Sequence, residues 1–243
     1  MLFRSVFYPL DGKYEAAEKE NKQPSGILRT VALTVGPYTK SAGAYEFFGN
    51  NTSYIEFPTN GSQVPQIHSI TLMCWVEPGG QDGPLFSYGQ TGHGVGIWIN
   101  LNGTFFHKFH NKEVNTDVSL AVEDWVHVAA TYNHTTEEDS LYINGVFNKS
   151  QIKIDAGPLS SNGSSTNDPK ALMGVAGDRH FKGKIAQMKI YYAALDEAQI
   201  KAAINQGIKL AYVCIKVGCV VLFLLSGNNN SPYYTSIFSP ATA

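Results

Sequence analysis

The feature that most limits what this chain can fold into is its succession of short apolar/polar runs, each closed by a turn signal, with almost no helical periodicity between them. The clearest run is Ser69 to Val76. Ile70, Leu72, Cys74 and Val76 fall on one face and Thr71, Met73 and Trp75 on the other, because side chains alternate along an extended backbone. Comparable runs occupy Ser53–Phe57, Val95–Leu101, Thr104–Phe109, Trp125–Tyr132, Leu141–Ile143 and Lys184–Tyr192. Shorter ones lie at Val6–Leu10, Val31–Val35, Ala44–Phe48, Leu85–Tyr88, Ile152–Ile154 and Ala171–Val175. Asn102-Gly103 and Asn144-Gly145 join two pairs of them, and Asn-Gly is the strongest short hairpin signal. One helix is legible: Asp196 and Gln199 read as a capping box, Leu195 and Ile200 occupy the staple positions, and Gly207 is placed as the stop. Parallel α/β folds would need helices between the strands. The expected fold is therefore all-β, a two-sheet antiparallel sandwich with one short C-terminal helix and an apolar tail.

At 243 residues the chain suits one large domain and a tail. A formal net charge of -2, with scattered basic residues, leaves no footprint for nucleic acid. The three cysteines show neither a disulfide framework nor metal-ligand spacing, and Cys74 reads as a buried thiol in a strand. Glycoside hydrolysis needs two carboxylates across one surface, and on a strand that means alternate positions. No such pair falls on a strand candidate; Glu137-Glu138-Asp139 is contiguous and reads as a solvated turn. No histidine accompanies a nucleophile motif, and Gly92–Gly96 lacks the order of a phosphate loop. The expectation is a non-enzyme.

Eight Asn-x-Ser/Thr triplets begin at Asn50, Asn51, Asn60, Asn102, Asn133, Asn148, Asn162 and Asn229, which favours exposure to glycosylation machinery. Met1 to Leu10 has neither the apolar core nor the cleavage site of a secretory signal. Either a leader precedes this chain or the protein is cytosolic; the sequons favour an extracellular or cell-surface location, with the chain a fragment.

Several pieces then occur in a telling order. Trp125-Val126-His127-Val128-Ala129-Ala130-Thr131-Tyr132 is followed by Leu141-Tyr142-Ile143-Asn144-Gly145 and by Phe181-Lys182-Gly183-Lys184-Ile185 through Ile190-Tyr191 and Ala194-Leu195. Tyr8-Pro9-Leu10-Asp11-Gly12 and Ala44-Tyr45-Glu46-Phe47 precede them. The ordered set resembles the laminin-G-like, concanavalin A-like lectin family over residues 5–206. The resemblance implies a jelly roll, a central Trp-His-Val strand facing a concave surface, a helix over one open end, and a recognition module for glycan or extracellular matrix protein. It also implies calcium near the opening Asp-Gly. Here Asp11 is present, but Ala186 stands where the family usually places a second Asp, so calcium on that route is in doubt. Asp82, Asp139 and Asp178 are looser loop candidates. Ligand candidates are Tyr88 and His93 on a loop rim and Trp98 as a stacking platform, against core packing for Trp75, Trp98 and Trp125. The alternative is a structural or accessory domain of a larger multidomain protein without its own ligand; a glycoside hydrolase is a distant one.

Residues 208–226 are the sharpest shift in composition. Leu210 to Leu225 is short for a spanning helix, carries Lys216 near its centre and is rich in β-branched residues. A weak membrane anchor, a strand docked on the domain, and a sequence unrelated to the family's usual continuation stay open. Residues 227–243 are polar and uncharged, and are expected to be disordered.

Overall fold

The structure, a computed structural model, describes residues 5–20, 23–58, 69–89, 95–109, 112–152 and 171–205, and the backbone of 209–215 and 218–224. Two antiparallel sheets face each other across one apolar core, as the alternation requires. The first sheet runs β13 (Val146–Ile152), β12 (Glu138–Ile143), β11 (Val126–Asn133), β6 (Ile70–Gln81), β17 (Lys182–Tyr191), β4 (Ala44–Phe48) and β3 (Ala32–Thr34); β1 (Ser5–Tyr8) pairs with β17 beyond the end of β4. The second runs β10 (Lys112–Ser119), β9 (Thr104–Phe109), β8 (Val95–Ile99), β7 (Gly83–Tyr88), β14 (Ala171–Met173), β5 (Tyr54–Phe57) and β2 (Ile27–Arg29). A small hairpin, β15 (Val175–Ala176) with β16 (Arg179–His180), and one helix, α1 (Glu197–Asn205), complete the domain. This is the expected two-sheet antiparallel jelly-roll sandwich.

The core-facing residues of β6 are Ile70, Leu72, Cys74 and Val76, matching the alternation. Rings close the space between the sheets: Tyr8 lies 4.5 Å from Phe57, and Phe109 stacks on Tyr132 at 4.0 Å. One polar contact crosses the same core. His107 Nδ1 of β9 lies 2.7 Å from Asp139 Oδ1 of β12, both side chains wholly buried. This corrects the reading of Glu137-Glu138-Asp139 as a solvated turn and of Asp139 as a loop carboxylate. Strand β12 begins at Glu138, and Asp139 pairs with core residue Tyr132, so the alternation turns it inward.

The outer face of β6 is apolar too, because α1 covers part of it. Ile200, Ala203 and Leu195 pack on Met73, Ala129 and Tyr142. The helix thus lies on the outer face of the first sheet rather than over an open end. Its capping box forms as expected: the Asp196 N–H donates to Gln199 Oε1 at 2.9 Å, and the Gln199 N–H to Asp196 Oδ1 at 2.8 Å. Lys189 Nζ, buried on that face, donates to the Ala203 carbonyl in the last turn, where a cation suits the helix dipole. Burial, with Lys19 nearby, pushes the Lys189 ammonium down to about 8.

The two Asn-Gly signals resolve differently. Asn144 and Gly145 both take positive φ, 51° and 76°, as a two-residue type I′ turn demands. At the other, the Gly103 N–H donates to the Asn100 carbonyl and only Gly103 is left-handed, giving a longer turn with a glycine bulge. Strands β2 and β10 fall where none was expected, since both are edge strands with few buried side chains. Trp125 precedes β11 rather than lying in it. The C-terminal stretch is a hairpin, β18 (Lys209–Ile215) with β19 (Gly218–Leu224), whose strands pair with each other in a two-stranded sheet of their own. Among the described residues no helix is long and apolar enough to cross a membrane.

Candidate functional site

The opening Asp-Gly is a closed turn. Asp11 Oδ1 accepts the N–H groups of Lys13 and Tyr14 at 3.0 Å, and Lys40 Nζ sits 2.5 Å from Oδ2. Burial raises the Asp11 carboxyl, but Lys40 and the backbone donors outweigh it and hold the group below its ordinary range. Ala186, at the position of the family's second Asp, is fully buried and opposes Trp75 in the ladder. A carboxylate shared by an ammonium and two N–H groups, with alanine in place of a second acid, does not fit a calcium ion that wants six to eight oxygens. Among the described residues no three His, Cys, Asp or Glu side chains gather as ligands.

The ligand candidates divide. Tyr88 is not on a rim: it lies in β7 and its ring belongs to the core, so burial removes it. His93 lies outside the described residues. Trp75 is buried on the outer face of the first sheet, edge-on to His127 at 5.4 Å and to Tyr38 at 5.1 Å. Burial and the Lys189 charge hold His127 neutral, pushed down to about 3. Trp125, partly buried, packs on the same cluster.

Trp98 is the candidate left at the surface. It alternates with core residues Ile97 and Ile99, so its indole lies on the outer face of the second sheet, half-buried. Phe106 on the neighbouring strand lies nearly parallel to it, centroids 5.9 Å apart and planes 20° apart. Gly96 is required beneath. A Cβ there would meet the Phe86 carbonyl oxygen at 2.6 Å and Trp98 Nε1 at 2.8 Å, so only glycine lets the indole lie down along the strand.

The ladder places other groups around this ring, since residues paired across strands share a face. Glu113, Lys108, Gly96, Ser87, Leu172 and Glu56 form one row across six strands, with the smallest side chains in the middle. Asn115, Phe106, Trp98 and Pro84 form the next. Asn100 Nδ2 donates to Asn115 Oδ1 at 2.7 Å at one end. At the other, Arg179 of the β15–β16 hairpin holds its guanidinium carbon 5.9 Å from the Trp98 centroid and its Nε 3.7 Å from Asp82 Oδ2. Asp82 lies between β6 and β7 and Asp178 in the β15–β16 turn. Sequence reasoning missed Arg179. The only hint was its place beside Gly177-Asp178, and nothing in that pattern points at a tryptophan some eighty residues away.

The sequons in described segments sit at the surface. Asn50, Asn51 and Asn102 are exposed, and Asn133 and Asn148 partly so. Asn50 Oδ1 and Asn102 Oδ1 each accept the hydroxyl of the threonine two residues on, at 2.7 Å. Asn60, Asn162 and Asn229 lie outside the described residues.

Comparison with known proteins agrees with this architecture. The model of a family described as the concanavalin A-like lectin/glucanases superfamily matches residues 48–201, more than half of the chain. Domain 4 of AbnA, an extracellular arabinanase of Geobacillus stearothermophilus solved with arabinotriose, is 18% identical with a TM-score of 0.63, covering 81% of this chain and 96% of that one. The CBM40 domain of the Ruminococcus gnavus IT-sialidase, bound to alpha2,3 sialyllactose, is 13% identical with a TM-score of 0.56, covering 66% and 95%. A pentraxin of Limulus polyphemus is 14% identical with a TM-score of 0.51, covering 64% and 78%. At these identities the likeness is one of fold. No curated protein matches the chain.

Proposed function

Because this chain belongs to the concanavalin A-like lectin/glucanases superfamily, we propose that it is a non-catalytic carbohydrate-binding module that holds a glycan across the outer face of its second sheet. The observation that carries this reading is Trp98, a half-buried indole laid flat over Gly96, with Ser87 paired beside that glycine. A pyranose or furanose ring offers an apolar C–H face that suits an aromatic plane, and its hydroxyls suit Ser87, Asn100, Asn115 and Lys108 at the margins. That fold relatives were solved with arabinotriose and sialyllactose supports a saccharide as the ligand. Catalysis is disfavoured by spacing. Glu113 and Glu56, the two carboxylates of the central row, are five strands apart, roughly 24 Å at about 4.8 Å per strand, where hydrolysis needs about 5 to 9.5 Å.

The exposed sequons favour an extracellular or cell-surface setting, with residues 5–206 as the recognition module and the 209–224 hairpin outside it. The test is a titration of the purified chain against neutral and acidic oligosaccharides. Trp98→Ala should weaken binding by about 2 kcal/mol or more, roughly thirtyfold, while leaving the melting curve nearly unchanged. Binding that survives Trp98→Ala intact would move the site elsewhere.

A further inference from the structure

The charge beside the aromatic platform specifies more than a sugar. We infer that the saccharide is acidic, its carboxylate taken by Arg179, whose guanidinium stands over the Trp98 ring; this rests on the Trp98 reading above and names its ligand class.

Arg179 is held in place from several sides. It pairs with Ala176 in the β15–β16 hairpin, and Gln81 Nε2 donates to the neighbouring His180 carbonyl at 2.6 Å. Gly83 lets that backbone approach so closely that a Cβ there would lie 2.2 Å from the Phe181 nitrogen. The backbone is therefore fixed while the guanidinium is half exposed. Its five N–H groups make no hydrogen bond to any described residue. Asp82 stands at 3.7 Å from Nε, beyond hydrogen-bond reach, and the other contact is the Trp98 ring. An arginine serving only to neutralise Asp82 would close that gap to about 2.8 Å. Instead Asp82 flanks the Nε side, leaving the terminal pair of nitrogens as a free fork beside the indole face.

A planar fork of donors matches a carboxylate in two parallel bonds, and a sugar held by Trp98 brings its ring substituents within reach of that guanidinium. The remaining charges nearby do not compete for the fork. Lys108 and Glu113 pair with each other at 3.5 Å, and Asp178 is exposed in the hairpin turn. A neutral sugar would use the platform and leave the fork idle.

The experiment is isothermal titration of the full chain with carboxylated oligosaccharides (an oligogalacturonate, a glucuronate-containing oligomer and a sialylated trisaccharide). Each is compared with its carboxyl-reduced counterpart, and dextran sulfate serves as a sulfated control. At least one acid should bind roughly tenfold or more tightly than its reduced form. Arg179→Gln should bring the acid down to the affinity of its reduced form. Trp98→Ala should remove both, and Asp82→Asn should strengthen only the acid. Equal affinity for acid and reduced sugars, or an advantage that persists in Arg179→Gln, overturns the inference while leaving the Trp98 platform standing. Preference for dextran sulfate over every carboxylated sugar overturns the carboxylate assignment, and no saccharide binding at all overturns both readings.

Discussion

Lys189 gives the most demanding test of the fold. Its ammonium is buried on the outer face of the first sheet, between Phe7 and Met73 in the ladder, and donates to the Ala203 carbonyl of α1. Burial, with Lys19 nearby, moves it from 10.5 to about 8. For a base held below its unfolded value, the charged form costs stability. The unfolded chain binds the extra proton between pH 8 and 10.5, so stability rises with pH across that interval. The full displacement is worth about 3 kcal/mol, of which about 2 kcal/mol develops between pH 7 and 9.5. Cys74 and several tyrosines, whose burial raises them, work in the opposite sense at the alkaline end. The reading is therefore a difference between two proteins that share those groups. Urea melts of the wild type and Lys189→Met at pH 7, 8, 9 and 9.5 should show the wild type gaining about 2 kcal/mol relative to the variant. Loss of the Ala203 bond adds a constant offset and leaves the slope alone. Parallel stabilities across the range would refute the claim that Lys189 carries a buried, disfavoured charge.

Two further outcomes follow from the core and the hairpin. His107→Leu should destabilise the protein by about 3 kcal/mol in urea, because it removes the contact that Asp139 makes across the core, whereas His107→Leu/Asp139→Leu should recover most of the loss; additive single effects would count against coupling of the pair. Gly83→Ala should shift the β15–β16 hairpin, since φ of +157° and a backbone nitrogen 2.2 Å from the new methyl leave it no room; a melting curve and saccharide affinity like wild type would show that the hairpin yields at no cost.

The alternating runs, the Asn144-Gly145 turn and the Asp196–Gln199 box determined the sandwich and its helix, because each rests on contacts within a few residues of chain or on a period the sheet must obey. They also identified Trp98 as a strand aromatic without choosing between core and surface. Residues whose roles depend on distant neighbours were not legible. Asp139 passed for a turn acid because its register with Tyr132 is set by β11. Tyr88 passed for a rim residue because its burial depends on the facing sheet. The helix was expected over an open end, but Met73, Ala129 and Tyr142 draw it onto a sheet face that only pairing creates. Arg179 came to light only through the ladder and a close approach at Gly83. Period and turn chemistry are written along the chain; which side chains meet is decided by register and sheet packing, which join residues a hundred positions apart.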